Sequence, residues 1–410
     1  MMKIISSRLC AQVLGVLGIL VLNGNAWCAE EPIKLGAAVS LTGSLAKLGA
    51  ETKAGYELWM EKVNSHGGLN VGGKKRPVSI TFYDDQSDAN RATKLVDKLI
   101  SEDGIKLILG PYSSGITLPV STITERNHVL LMSAGGNADE LFTRNFRYIF
   151  GVWPLASEPI QTTLKVIKDA DPSLKSVGIA VKDNLFSLTA AKGARNEAKD
   201  LGYNIVFDEK YPADVNDFSS VIGKAKESQA DIVVELGHVK EAILFVKQSK
   251  ELGFSPKAWT LQPGPETADF KNSLGSAANY VFWYALWSPA VPYKDAVFGD
   301  VDSYVKAYQA KFNEMPTFNS SAATTGAELI GLAIEKSGST EPDPVRDALR
   351  AFQGETIMGP IKFDARGVNV NARDNVVVYQ VQDGKDVLVA PAKVAQGKPQ
   401  LPMPGWSERK

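Results

Sequence analysis

The chain has 410 residues, with 45 Lys and Arg against 46 Asp and Glu and a formal net charge of −1. That near-balance argues against nucleic acid or a broad membrane-surface partner, both of which call for a basic face. The length exceeds what one hydrophobic core normally accommodates, so two lobes are expected.

The first elements in chain order belong to a leader. Lys3 and Arg8 precede an apolar stretch over roughly residues 9–22, and small residues follow around Gly24-Asn25-Ala26-Trp27-Cys28-Ala29. The stretch is short for a membrane span of about 20 residues and fits a cleaved signal peptide, here taken as residues 1–29. Cleavage after Ala29 would put the bulky Trp27 at the −3 position, whereas a cut after Ala26 or Cys28 keeps small residues near it. Trp27 beside Cys28 also fits a lipobox poorly. Both cysteines, Cys10 and Cys28, fall in this region, so the exported part carries no disulfide framework. No later segment is long and apolar enough to span a bilayer.

From Ile33 onward, apolar runs alternate with amphipathic segments. Strands are predicted over 33–39 and 78–83, with helices over 45–64 and 89–101. In the second helix Ala92, Leu95, Val96, Leu99 and Ile100 recur at helical spacing. Two junctions about twenty residues apart then follow, Lys106-Leu107-Ile108-Leu109-Gly110-Pro111-Tyr112-Ser113-Ser114-Gly115 and Val129-Leu130-Leu131-Met132-Ser133-Ala134-Gly135-Gly136-Asn137. Each is a continuous apolar run, as a strand buried on both faces requires, breaking into small hydroxyl and glycine residues before a helix. After Gly151 the pattern restarts, with strands over 177–181, 205–208, 232–236 and 259–261. Helices over 293–313, 320–336 and 344–352 come next, then a strand over 376–381 and a Pro-rich tail read as a lobe-crossing wrap. The whole is an α/β chain of two Rossmann-like lobes with parallel sheets.

Ligands of such sheets sit beyond the carboxyl ends of the strands, where loops and helix N-termini expose N–H groups. The paired junctions therefore read as a cradle for a small anion such as a carboxylate. They offer no nucleophile with a base: Pro111 stands where a Gly-x-Ser-x-Gly elbow needs its first glycine, and His66, His128 and His238 are far apart and lack metal-type spacing. Asp84 and Asp85 follow a strand, yet the Ser40-Leu41-Thr42-Gly43-Ser44 turn is no dinucleotide fingerprint. The reading is no enzyme, no cofactor and no metal. The seven Trp, among them Trp153, Trp259, Trp283 and Trp287, would be divided between core and aromatic walls.

The order of several motifs carries a resemblance. Ile33-Lys34-Leu35-Gly36 with Ser40-Leu41-Thr42-Gly43, then Gly110-Pro111 with Ser113-Ser114, then Asp217-Phe218-Ser219-Ser220, and finally Gly359-Pro360-Ile361-Lys362-Phe363-Asp364 with Gly367, resemble the type I periplasmic solute-binding proteins of ABC transporters. The likeness is to their leucine/isoleucine/valine-binding branch and covers nearly the whole exported chain. It implies a three-segment hinge near Gly151, Tyr280 and Ile361. The lobes would then comprise residues 30–151 plus 281–361 and residues 152–280 plus 362–410. It also implies a periplasmic location, a monomer and a permease partner in the inner membrane.

By the same resemblance Ser114 receives the ligand's carboxylate, aided by amides at Gly135 and Gly136 and by Ser40, while Phe186, His238 and Trp259 close over the apolar end. Gln262 is a further contact position. Gly136 stands where amino-acid binders commonly carry a threonine, and Phe186 replaces a more usual tyrosine. Near Gln262-Pro263-Gly264, where an acid should neutralise an ammonium, none stands; Glu266 would need a shifted loop. An unpaired buried ammonium is costly. The resemblance thus implies an aryl carboxylate of benzoate or cinnamate type, with a branched-chain or other hydrophobic amino acid as the alternative, or a ligand sensor with the same pocket.

Overall fold

The structure is a computed structural model and describes residues 31–409; the leader expected over residues 1–29 lies outside them. In the first half the chain runs β1 (Ile33–Val39), α1 (Ala46–Ser65), β2 (Leu69–Val71), β3 (Lys74–Arg76), β4 (Val78–Asp84), α2 (Ala89–Ser101), β5 (Leu107–Leu109), α3 (Ser114–Arg126), β6 (Leu130–Ser133) and β7 (Ile149–Gly151). A five-stranded sheet forms in the order β4-β1-β5-β6-β7, with every pairing parallel. The apolar runs that predicted β5 and β6 are buried throughout. Alternation splits them between two faces: Leu107, Leu109, Leu130 and Met132 join the larger core, and Ile108 and Leu131 the smaller one with α2 and α3.

The second half runs α4 (Pro159–Ala170), β8 (Ser176–Lys182), α5 (Leu185–Asp200), β9 (Asn204–Tyr211), α6 (Ser219–Glu227), β10 (Ile232–Leu236), α7 (Val239–Glu251), β11 (Ala258–Gln262), α8 (Ala268–Leu274) and β12 (Val281–Ala285). After these come β13 (Lys294–Asp295), β14 (Gly299–Asp300), α9 (Val301–Phe312), α10 (Phe318–Ser337), α11 (Pro342–Arg350), β15 (Gln353–Thr356), β16 (Gly359–Lys362), β17 (Val377–Gln382) and β18 (Lys385–Ala390). The second sheet has the order β18-β17-β12-β11-β10-β8-β9. Strands β8 to β12 pair in parallel, and β17 and β18 close one edge antiparallel.

Three expectations differ from this arrangement. Strand β12 pairs with β11, so the chain leaves the second sheet after Ala285 and not at Tyr280. Residues 281–285 therefore belong with the second half. The helix expected over 293–313 is shorter, because β13 and β14 form a hairpin that ends in Asp300, the residue that caps α9. The tail stays on the second half instead of crossing: Met403 N–H donates to Lys257 C=O at 2.7 Å, the Trp406 indole to Phe254 C=O at 2.8 Å, and the Arg409 guanidinium lies 3.7 Å from the Trp406 ring centre.

Candidate functional site

In the first sheet the chain steps from β1 outward to β4 and then back past β1 to β5; in the second it steps from β8 to β9 and back to β10. Such reversal points leave a crevice at the carboxyl ends of the strands, and residues from those ends line one cavity. Its wall comprises Tyr112, Ser113 and Ser114 after β5, Gly135 and Asn137 after β6, Trp153 after β7, Phe186 after β8 and His238 after β10. Gln262, Pro263, Tyr284 and Leu286 come from the ends of β11 and β12, and Phe318 from the start of α10. The wall borders about 440 Å³ of unfilled space, part of it continuous with solvent.

The first-sheet side is held by a loop with little freedom. Tyr56 on α1 donates to Gly110 C=O at 2.8 Å. Ser113 takes the left-handed region, φ 81°, and caps α3. Ser114 opens α3 with its side chain buried, and its hydroxyl accepts from the N–H groups of Asn137 at 3.1 Å and Ala138 at 3.0 Å. A hydroxyl that accepts twice still has its hydrogen to give. It is therefore poised to donate to an acceptor in the cavity.

The rest of the wall is largely aromatic. Phe186 lies in the first turn of α5, which Asn184 caps by accepting from Ser187 N–H at 2.8 Å. The His238 ring stacks on it with centroids 6.2 Å apart and planes 16° from parallel. Trp153 tilts against Phe318 at 5.6 Å. Burial, followed by the Lys182 ammonium, pushes the His238 imidazolium down to about 3, so this ring is neutral at ordinary pH. Burial likewise holds the Tyr112 and Tyr284 phenols in their protonated form, with the Glu266 carboxylate reinforcing it.

Of the residues singled out in the sequence, Ser114, Gly135, Phe186, His238 and Gln262 share this wall. Three do not. Ser40 is buried and donates to Asp85 at 2.6 Å. Gly136 has its N–H bound to the Ser133 hydroxyl at 3.1 Å, and a Cβ there would sit 2.4 Å from Thr117 Oγ1. Trp259 is a core residue of β11, packed against Phe245 and Trp406. Glu266 turns toward its own loop, accepting from Gly264 N–H at 2.6 Å, and burial raises it to about 7. The sequence reading did not place Tyr112, Asn137, Tyr284, Leu286 or Phe318 in the wall, and it offered Trp153 as one of several Trp for core or wall. Asn137 and Tyr112 lay within the quoted junctions; Phe318 had no such signal, being brought in by a helix two hundred residues downstream of β5.

The family profile described as periplasmic binding protein matches residues 32–386. The chain belongs to that family. This periplasmic binding protein is 29% identical over 411 residues to Leu/Ile/Val-binding protein homolog 8 of Brucella suis, covering 95% of this chain and 98% of the relative. It is 30% identical over 405 residues to homolog 7 of Brucella abortus, covering 94% and 98%. Among solved structures, the isoleucine complex of a branched-chain amino acid transporter substrate-binding protein from Streptococcus pneumoniae superposes with a TM-score of 0.75 at 22% identity, over 88% of this chain and 100% of that one. A benzoate complex of an ABC-transporter solute-binding protein from R. palustris gives 0.74 at 19%, over 90% and 99%. The protein is thus a periplasmic binding protein by family and shares the fold of these solved structures.

Proposed function

We propose that this protein captures an aryl carboxylate of benzoate or cinnamate type between its lobes and delivers it to an inner-membrane ABC permease. The observation that carries this is the composition of the cavity wall. Six rings, those of Tyr112, Trp153, Phe186, His238, Tyr284 and Phe318, surround it, and no Asp or Glu is among its lining residues. The carboxylate would rest on the Ser114 hydroxyl and the start of α3, and the ring would lie between the aromatic side chains. An α-ammonium would meet no carboxylate there and would be expensive to desolvate.

The lobes in this reading are 31–151 with α9 to α11, and 152–285 with 363–409. A ligand bridging them favours the closed form, which the permease recognises. Isoleucine and benzoate complexes both stand among the structural neighbours, so fold likeness does not choose between acids and amino acids. The wall favours the aryl acid. A hydrophobic amino acid is the second reading, supported by Asn137 Oδ1, which is buried beside Ser114 without a partner, and by the unpartnered Oε1 of Glu266.

The test is thermal stabilisation of ligand-stripped protein against paired aryl carboxylates and hydrophobic amino acids. A ligand at a hundredfold its dissociation constant adds about 2.7 kcal/mol. Stabilisation by aryl acids alone is the expected result. Stabilisation by leucine or phenylalanine alone would replace this reading with the second.

A further inference from the structure

The aryl-carboxylate reading leaves one feature of the cavity unused. His238 lines it from the second lobe, opens α7 without capping that helix through its side chain, and holds its ring flat on Phe186. Its Nδ1 is buried without a hydrogen-bond partner. Gln262, beside it in the wall, has its carbonyl oxygen taken by Tyr284 N–H at 3.3 Å. A buried ring nitrogen without a partner is costly unless an arriving group bonds to it.

The first-lobe side presents the opposite chemistry: the Ser114 hydroxyl has a hydrogen to give. A donor on one lobe and a ring nitrogen on the other suit a ligand with an acceptor at one end and a hydroxyl at the other. Resting on the function proposed above, we infer that His238 is a specificity-determining residue that accepts the hydrogen of a ring hydroxyl. The preferred ligands are then phenolic aryl carboxylates and not benzoate itself. A site that bonds a substrate hydroxyl discriminates strongly against the analogue lacking it, because its own polar group is otherwise left unpaired.

The experiment is calorimetric titration of benzoate, 3-hydroxybenzoate and 4-hydroxybenzoate into the wild type, His238→Phe and His238→Gln. The wild type is expected to bind one hydroxybenzoate at least about tenfold more tightly than benzoate. His238→Phe should abolish that ratio, since phenylalanine has no nitrogen to accept the hydrogen of the hydroxyl. His238→Gln, which keeps a polar end of similar reach, should reduce the ratio without abolishing it, and it decides the matter if the Phe variant does not fold. A wild type that binds benzoate as tightly as both hydroxybenzoates overturns the inference, as does a ratio unchanged in the variants; in both cases aryl-acid binding itself still stands. If leucine binds and no aryl acid does, the underlying function fails and this inference goes with it.

Discussion

At the scale of single residues, the side chains that matter are those whose hydrogen bonds are already partly spent. Ser114 accepts from two backbone amides and keeps one hydrogen. Its replacement by Ala should weaken ligand binding by about 1–3 kcal/mol through loss of a charge-assisted bond. It should also lower the melting temperature, because two buried amides lose their acceptor; affinity unchanged in calorimetry would place the carboxylate elsewhere. Glu235 on β10 is wholly buried, accepts from the Tyr211 hydroxyl and is raised to about 8 by burial. Its folded-state value lies above the ordinary carboxyl value near 4.3, so the unfolded chain releases its proton first and stability falls as pH rises from about 4.5 to 8. Glu266 adds to this slope up to about 7. Glu235→Gln should flatten the decline measured by thermal melts between about pH 6 and 8; an unaltered profile would assign it to other carboxyls. This scale was the least legible in the sequence. Ser40 and Ser114 both follow apolar strands, but only the fold reveals that Asp85 claims the Ser40 hydroxyl and that Ser133 claims the Gly136 amide.

Secondary-structure elements were far more legible, because burial on both faces of a parallel strand writes an unbroken apolar run and helix amphipathicity writes a period of 3.6. Helix α2 and strand β10 have the bounds their patterns predicted. The hairpin at β13 and β14 was not readable, since it depends on the buried Asp295 carboxylate accepting from Val297 N–H at 2.8 Å and Phe298 N–H at 2.5 Å, a local choice that apolar spacing does not record. Between elements, the contact of α1 with α10 rests on Gly55. A Cβ there would lie 2.2 Å from Ser320 C=O and 2.8 Å from Ala323 Cβ, and the Gly55 carbonyl accepts from the Thr324 hydroxyl at 3.0 Å. Gly55→Ala should therefore force the two helices apart and cost about 1–3 kcal/mol, as overpacking does. Urea unfolding should report it as a lower midpoint at unchanged slope; an unchanged midpoint would mean that the helices slide past the methyl freely.

For the molecule as a whole, the family was legible because its motifs occur in order along most of the chain, whereas the second crossover was expected too early because β12, which pairs with β11, was not recognised as a strand. If the lobes close on ligand, small-angle scattering should show the radius of gyration falling on titration and saturating where the melting temperature does. A radius that stays constant while the protein is stabilised would describe a pocket that fills without closure. The placement of the last residues has a temporal meaning as well. Trp406 and Arg409 pack over Trp259, and β17 and β18 finish the sheet that β8 begins, while α10 packs against α1 near the other end of the chain. Neither half can complete its interior from a partly synthesised polypeptide. Such long-range closure slows folding, and it leaves both halves open until the last strands and the tail are in place.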